Sequence, residues 1–143
     1  MLSKIKEFFL QKSKNLIYEP LVDRVETETV GFRLPHQGAT TDYYLYSSNI
    51  YIGQLRTELW ADSDLILVHS IKASTVGIKY GSSMVRWLVD NTSQVIQPVH
   101  VIGGGIGFWC KQKQRWPNRV VDQDIRSSEY DYLLEERKRK ILE

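Results

Sequence analysis

The chain has 143 residues, 42% of them apolar and 25% charged, with a formal net charge of +2. That length suits one domain with a proper core, and the balance of residues excludes a fibrous or intrinsically disordered class. So small a charge does not point to nucleic acid, and the single cysteine, Cys110, excludes an internal disulfide.

No paired Cys/His spacing offers a zinc site, and the lone cysteine fits a reducing, cytoplasmic location. No apolar run approaches the roughly 18 residues needed to span a bilayer. At the start, Leu2, Ile5, Phe9 and Leu16 recur near helical spacing among Lys4, Lys6, Lys12 and Lys14, which predicts a basic amphipathic helix over 3–16. Lys4, Lys6 and Glu7 break the apolar centre a secretory signal requires, so the segment reads as a structural helix that docks on the domain, or one that lies on an anionic membrane surface. Pro20 ends it.

The pattern over 27–34 is β-like, and Pro35-His36-Gln37-Gly38 is a turn. A strand over 42–46, the turn Ser47-Ser48-Asn49 and a strand over 51–60 carrying Ile52, Leu55, Thr57 and Leu59 should pair as an antiparallel meander. After the turn Ala61-Asp62-Ser63-Asp64, Leu65-Ile66-Leu67-Val68 is apolar on both faces, as a central strand requires. A loop over 72–80 then leads to a helix over 82–91 with Met84, Val85, Leu88 and the body of Trp87 as its buried stripe.

Val95-Ile96 and Val99-His100-Val101-Ile102, on either side of Pro98, read as one more buried strand, and a helix over 105–114 is stopped by Pro117. Ser127 or Ser128 caps a last helix in which Glu135 and Arg139, and Glu136 and Lys140, stand four apart, with Tyr130, Leu133, Leu134 and Ile141 on one sticky face. A meander followed by a strand between two helices is an α+β architecture with a partly parallel sheet. The domain organisation expected is a basic helix over 1–20, an α/β domain over 21–126 and a charged helix over 127–143.

Two glycine-bearing turns each open a helix: Gly77-Ile78-Lys79-Tyr80-Gly81-Ser82-Ser83 and Gly103-Gly104-Gly105. A helix start exposes unpaired N–H groups and the positive end of the helix dipole, so such a pair can cradle a phosphate-bearing ligand. The text around them resembles the GNAT family of N-acetyltransferases, which transfer an acyl group from coenzyme A to an amine. That family ends a strand in V-x-P-x-x-R-G-x-G-x-G-x-x-L-L, and residues 71–85 match it without a gap: Ile71, Gly77, Gly81, Ser82, Met84 and Val85 agree in type. Val76 stands at the family's arginine and Lys79 at its middle glycine. The next motif, N-x-x-A-I-x-F-Y, lies in register with residues 102–109, where Ile106 and Phe108 agree while Ile102 and Trp109 replace the asparagine and the tyrosine. Asn49-Ile50-Tyr51-Ile52-Gly53-Gln54-Leu55 is similar to the family's second hairpin, and the likeness extends over roughly residues 27–121.

The resemblance implies a single-domain mixed sheet with flanking helices, with acetyl-CoA or another acyl-CoA as cofactor. It implies a binding segment made of Ile71, Val76, Gly77, Ile78, Lys79, Tyr80, Gly81 and Ser82, with the diphosphate across the main-chain amides. Lys79 either pairs with phosphate or is a solvated lysine, and Ser82 either donates to phosphate or caps its helix. Acyl transfer needs a deprotonated amine, a polarised thioester and a proton for the leaving thiolate. The family's tyrosine supplies that proton, whereas the indole of Trp109 has no useful acidity. Tyr80 or solvent is left as the source. Cys110 points about a hundred degrees from Trp109 and reads as a small buried apolar residue.

For the base, Glu58 and His69 are candidates facing a cleft where the sheet splays, with a hydrogen-bonded structural histidine as the alternative for His69. His36 and His100 have no suitable sequence neighbours. Lys111, Lys113, Arg115 and Arg119, interleaved with Trp109 and Trp116, are either a nucleic-acid contact or, the preferred reading, a solvated helix face over core tryptophans. The function expected is acyl transfer to an amine-bearing substrate. The alternative is a catalytically inactive protein of the same fold, which binds a protein partner through its terminal helices.

Overall fold

The computed structural model describes residues 19–30 and 39–142. The helix expected over 3–16, the turn at 35–38 with His36, and the end of the strand expected over 27–34 lie outside the described residues. The chain forms β1 (Arg24–Thr29), β2 (Ala39–Ser47), β3 (Ile50–Trp60), a short 3-10 turn (Ala61–Ser63), β4 (Leu65–Ala73), α1 (Tyr80–Asn91), β5 (Val95–Pro98), α2 (Gly105–Arg115) and α3 (Ser127–Leu142). This is an α+β arrangement built on a five-stranded mixed sheet in the order β1-β2-β3-β4-β5. The first four strands are antiparallel and β5 runs parallel to β4. No helix among the described residues is long and apolar enough to cross a membrane.

The meander is locally encoded. Ser48 and Asn49 both take left-handed backbone angles, at φ 49° and 67°, the two-residue geometry whose twist matches that of antiparallel strands. Two bulges then re-aim side chains. Leu45 pairs with Gly53 and Tyr46 with Tyr51, which leaves Ile52 as an extra residue on β3. Arg56 pairs with Ser70 and Thr57 with Val68, which leaves His69 as an extra residue on β4. A bulge frees its residue from the strict alternation of the pleat and sharpens the local twist.

The sheet is covered on both faces. On one, α1 and α2 pack Met84, Val85, Leu88 and Trp109 against Ile52, Leu55, Ile66 and Val68, the helical stripe anticipated from periodicity. Gly53 is required here, because a Cβ would run into the Lys72 carbonyl and lie 2.9 Å from the Met84 methyl. On the other face, α3 lays Tyr130, Leu133 and Leu134 over Trp60, Leu67 and Val99. Arg119 ties the α1–β5 turn down: its guanidinium donates to the carbonyls of Val89 at 2.9 Å, Thr92 at 2.6 Å and Gln94 at 3.2 Å, satisfying acceptors at the end of α1.

Four expectations change. The strand expected over 95–102 ends at Pro98, because the chain hands its hydrogen bonds to other partners: Val99 N–H still reaches the Val68 carbonyl, but His100 N–H donates to Ile125. His100 then turns left-handed at φ 55°. Cys110 is exposed, since the buried stripe of α2 is Trp109 and Gln112 and the residue after Trp109 rotates to solvent. Ser127 does not act as a cap: it is the first residue of α3 and its hydroxyl hydrogen-bonds His100 Nδ1 at 2.8 Å. Neither ion pair expected four apart in α3 forms among the described residues; Glu136 accepts the Tyr132 hydroxyl, and Arg137 reaches Asp62 at 3.0 Å. The basic stretch keeps an exposed face, with Lys111 and Arg115 exposed over the buried Trp109, and its cations pair within the chain: Arg119 as above, Lys113 on the Pro117 carbonyl and Arg115 forked onto Glu19.

Candidate functional site

Hydrogen bonding between β4 and β5 stops at Val68 and Pro98, while β4 continues to Ala73. From His69 onward, the edge of β4 turned away from β3 has no strand partner among the described residues. The sheet opens there because β5 is short and the chain after it turns aside at His100. An open strand edge offers main-chain donors and acceptors to any extended, amide-bearing ligand.

Two adjoining cavities fill the opening. The first, about 370 Å³, is walled by Ile71, Tyr80, Phe108 and Trp109 and by the turns at 75–82 and 104–105. The second, about 190 Å³, lies between β4 and residues 99–102 and is lined by His69, Ser70, His100 and Val101 among others. They share Ile71, Gly105 and Trp109.

The first cavity has two helix starts in its wall. Lys79 is the N-cap of α1 and Gly104 that of α2; neither helix has a side-chain cap hydrogen bond or an acidic residue in its first turn. At α2 the first two N–H groups are already used, Gly105 donating to the Ile102 carbonyl at 3.1 Å and Ile106 to Gly103 at 3.3 Å, whereas the first-turn N–H groups of α1, with the positive end of the dipole behind them, suit an anion. Ser82 Oγ accepts a hydrogen bond from Gln112 Nε2 at 2.9 Å, which couples α1 to α2 and leaves the hydroxyl proton to donate. Gly81 allows close approach of the helices, since a Cβ there would sit 2.9 Å from the Phe108 ring.

Lys79 holds a left-handed backbone at φ 61°. This conformation costs a side-chain-bearing residue about 1–2 kcal/mol, which the extra unfolded-state entropy of glycine partly offsets. Lys79→Gly is therefore expected to stabilise the fold by about 1 kcal/mol, read as a raised midpoint in urea unfolding at unchanged slope. A lower midpoint would show that the side chain contributes more than the strain it imposes.

The second cavity is backed by a buried polar cluster. Glu58, only 1% exposed, projects from β3 toward the face covered by α3. Its Oε1 accepts from His69 Nε2 at 2.9 Å and from the Tyr130 hydroxyl at 2.5 Å, and its Oε2 accepts from Trp60 Nε1. Burial pushes the Glu58 carboxyl up, but the hydrogen bonds from His69, Tyr130 and Trp60 outweigh it and hold the group below the ordinary carboxylate range. Burial, and then the bond to Glu58, drive the Tyr130 phenol well above its usual value, so it stays protonated and donates.

Of the residues expected to bind cofactor, Ile71, Val76, Gly77, Lys79, Tyr80, Gly81 and Ser82 all line the first cavity, and Ile78 does not. Of the residues expected to catalyse, Tyr80 lines the first cavity and His69 the second, whereas Glu58 lines neither and stands behind His69 as its hydrogen-bond partner. Sequence reasoning passed over His100 and Tyr130. His100 carries no local signal, and Tyr130 registered only as part of an apolar helix face.

The fold and site define an α+β protein whose mixed sheet opens beside an uncapped helix start and a carboxylate-backed histidine. No family model, no curated protein and no solved structure matches the chain.

Proposed function

We propose that the protein is a GNAT-like N-acyltransferase that binds an acyl-coenzyme A in the paired cavities and acylates an amine. The observation that carries this reading is the opening of the sheet at Val68 and Pro98 beside a cavity walled by the uncapped start of α1. The residues fit such a ligand. The amides of Gly81 and Ser82, with the Ser82 hydroxyl and the Lys79 ammonium, would hold the diphosphate, and the open edge of β4 with Ile71, Phe108 and Trp109 would take the pantetheine arm. When bound, the cofactor supplies the acyl group as a thioester.

The chain's own groups then manage protons. Glu58 holds Nε2 of His69, so in the neutral ring Nδ1 is the acceptor, and the ring lines the second cavity. With an acyl-CoA and an amine bound, His69 would take the proton of the attacking amine and Tyr80 or solvent would supply one to the departing thiolate.

Acetyl-CoA at about a hundred times its dissociation constant should stabilise the protein by roughly 2.7 kcal/mol, a rise of about 5–10 °C in melting temperature for a chain of this size. The absence of any rise at millimolar acetyl-CoA removes the reading. One observation favours a second reading, an interaction module of the same fold: Val76, Ile102 and Ile106, on the two glycine-bearing segments, are 90%, 71% and 59% exposed. A partner whose binding is lost in a Val76→Asp/Ile106→Asp double variant, with no response to acetyl-CoA, would establish it.

A further inference from the structure

We propose that Tyr130, from the C-terminal helix α3, is a positioning residue that sets the basicity of His69 through the carboxylate they share. Its consequence for turnover rests on the transferase reading, whereas the coupling itself does not.

Both donors fall on one atom. Glu58 Oε1 accepts from the Tyr130 hydroxyl at 2.5 Å and from His69 Nε2 at 2.9 Å. Two donors on one oxygen divide its electron density, and in a buried setting that division is felt strongly because water does not replace what either loses. The imidazolium form of His69 is stabilised by whatever negative charge Oε1 presents to it, so donation by Tyr130 lowers the proton affinity of the histidine.

The phenol is held in place for this task. Its ring stacks on Trp60 at 6.2 Å with 20° between planes, and meets the His69 ring edge-on at 5.1 Å. Trp60 Nε1 fixes the other carboxylate oxygen, so Glu58 does not rotate to separate its donors.

Other charged groups face this region. Arg56 lies two residues before Glu58 on β3 and is forked onto Asp42 at 2.8 and 2.9 Å. His100 lines the same cavity as His69 and is hydrogen-bonded to Ser127. From α3, Asp131 adds negative charge near Tyr130, and Arg137 lies 4.3 Å over the Trp60 ring. Glu58 alone hydrogen-bonds the His69 imidazole among the described residues.

The test is an NMR titration of the His69 imidazole in the full chain, for the unaltered protein and for Tyr130→Phe, which keeps the ring and removes the hydroxyl. The expected result is a rise in the His69 pKa of about 0.5–1 unit. Installing 3-fluorotyrosine at position 130, a stronger donor of nearly the same size, should move it the opposite way and covers the case in which the phenylalanine variant folds poorly. An unchanged His69 pKa in either folded variant overturns the proposal and leaves Tyr130 a packing residue. With acetyl-CoA and an amine, the acidic limb of kcat/KM should move with the titration while KM for acetyl-CoA stays fixed, since Tyr130 lines neither cavity. A shifted pKa in a protein that never binds acetyl-CoA upholds the coupling and defeats the transferase reading; binding and turnover with an unmoved pKa do the reverse.

Discussion

Glu58→Ala is expected to cost the fold about 3–5 kcal/mol, since each buried or half-buried donor left without its carboxylate acceptor costs about 1–3 kcal/mol. The carboxylate serves three donors: the His69 ring, the Tyr130 hydroxyl and the Trp60 indole. Alanine leaves all three without an acceptor, and one of them, the Tyr130 hydroxyl, holds α3 against the sheet. Urea unfolding should show a lower midpoint at a similar slope, with α3 separating first in hydrogen exchange. Glu58→Gln keeps the shape and one acceptor, so it should cost markedly less; equal losses would mean that volume rather than hydrogen bonding matters.

The same carboxylate gives the protein an acid-sensitive component. Its folded pKa lies below the ordinary glutamate range, so its contribution is complete above the unfolded pKa and is lost as pH falls through the folded one. Below about pH 4.5 the unaltered protein should therefore lose stability more steeply than Glu58→Gln. Parallel losses in the two proteins would place the acid sensitivity elsewhere, with Asp42, lowered by its hydrogen bonds from Arg56, as the next candidate.

The second large effect concerns chemistry. His69→Gln is expected to lower kcat/KM for acyl transfer by roughly 10²- to 10⁴-fold, the usual worth of a positioned general base. Glutamine still donates to Glu58, so the melting temperature should change little, and acetyl-CoA should raise it as in the unaltered protein. Retained turnover in His69→Gln would show that the bulge residue is structural.

Much of the architecture was legible because it is encoded over short distances. The Ser48-Asn49 turn, the apolar run at residues 65–68 and the stripe of Met84, Val85 and Leu88 announce themselves by backbone preference and by period, and each lies where expected. The glycine turns were legible for the same reason, and they wall the first cavity. Local pattern failed where a competing tertiary partner won. Val99-His100-Val101-Ile102 is strand-like in text, yet the segment near Ile125 takes the His100 N–H and ends the strand early. Cys110 has the composition of a core residue and is exposed because the neighbouring Trp109 occupies the buried position of α2.

The sequence by itself determined the class and order of the described elements and the two small-residue turns that open helices, since these depend on side-chain period and on what glycine permits. Only the tertiary structure decided that Glu58, His69 and Tyr130 meet, across a separation of 72 residues between Glu58 and Tyr130. It also decided that a bulge turns His69 toward them and that the sheet opens beyond Val68. A bulge and a strand's end are set by pairing register and by competition for hydrogen bonds across the sheet, which no local stretch of residues specifies.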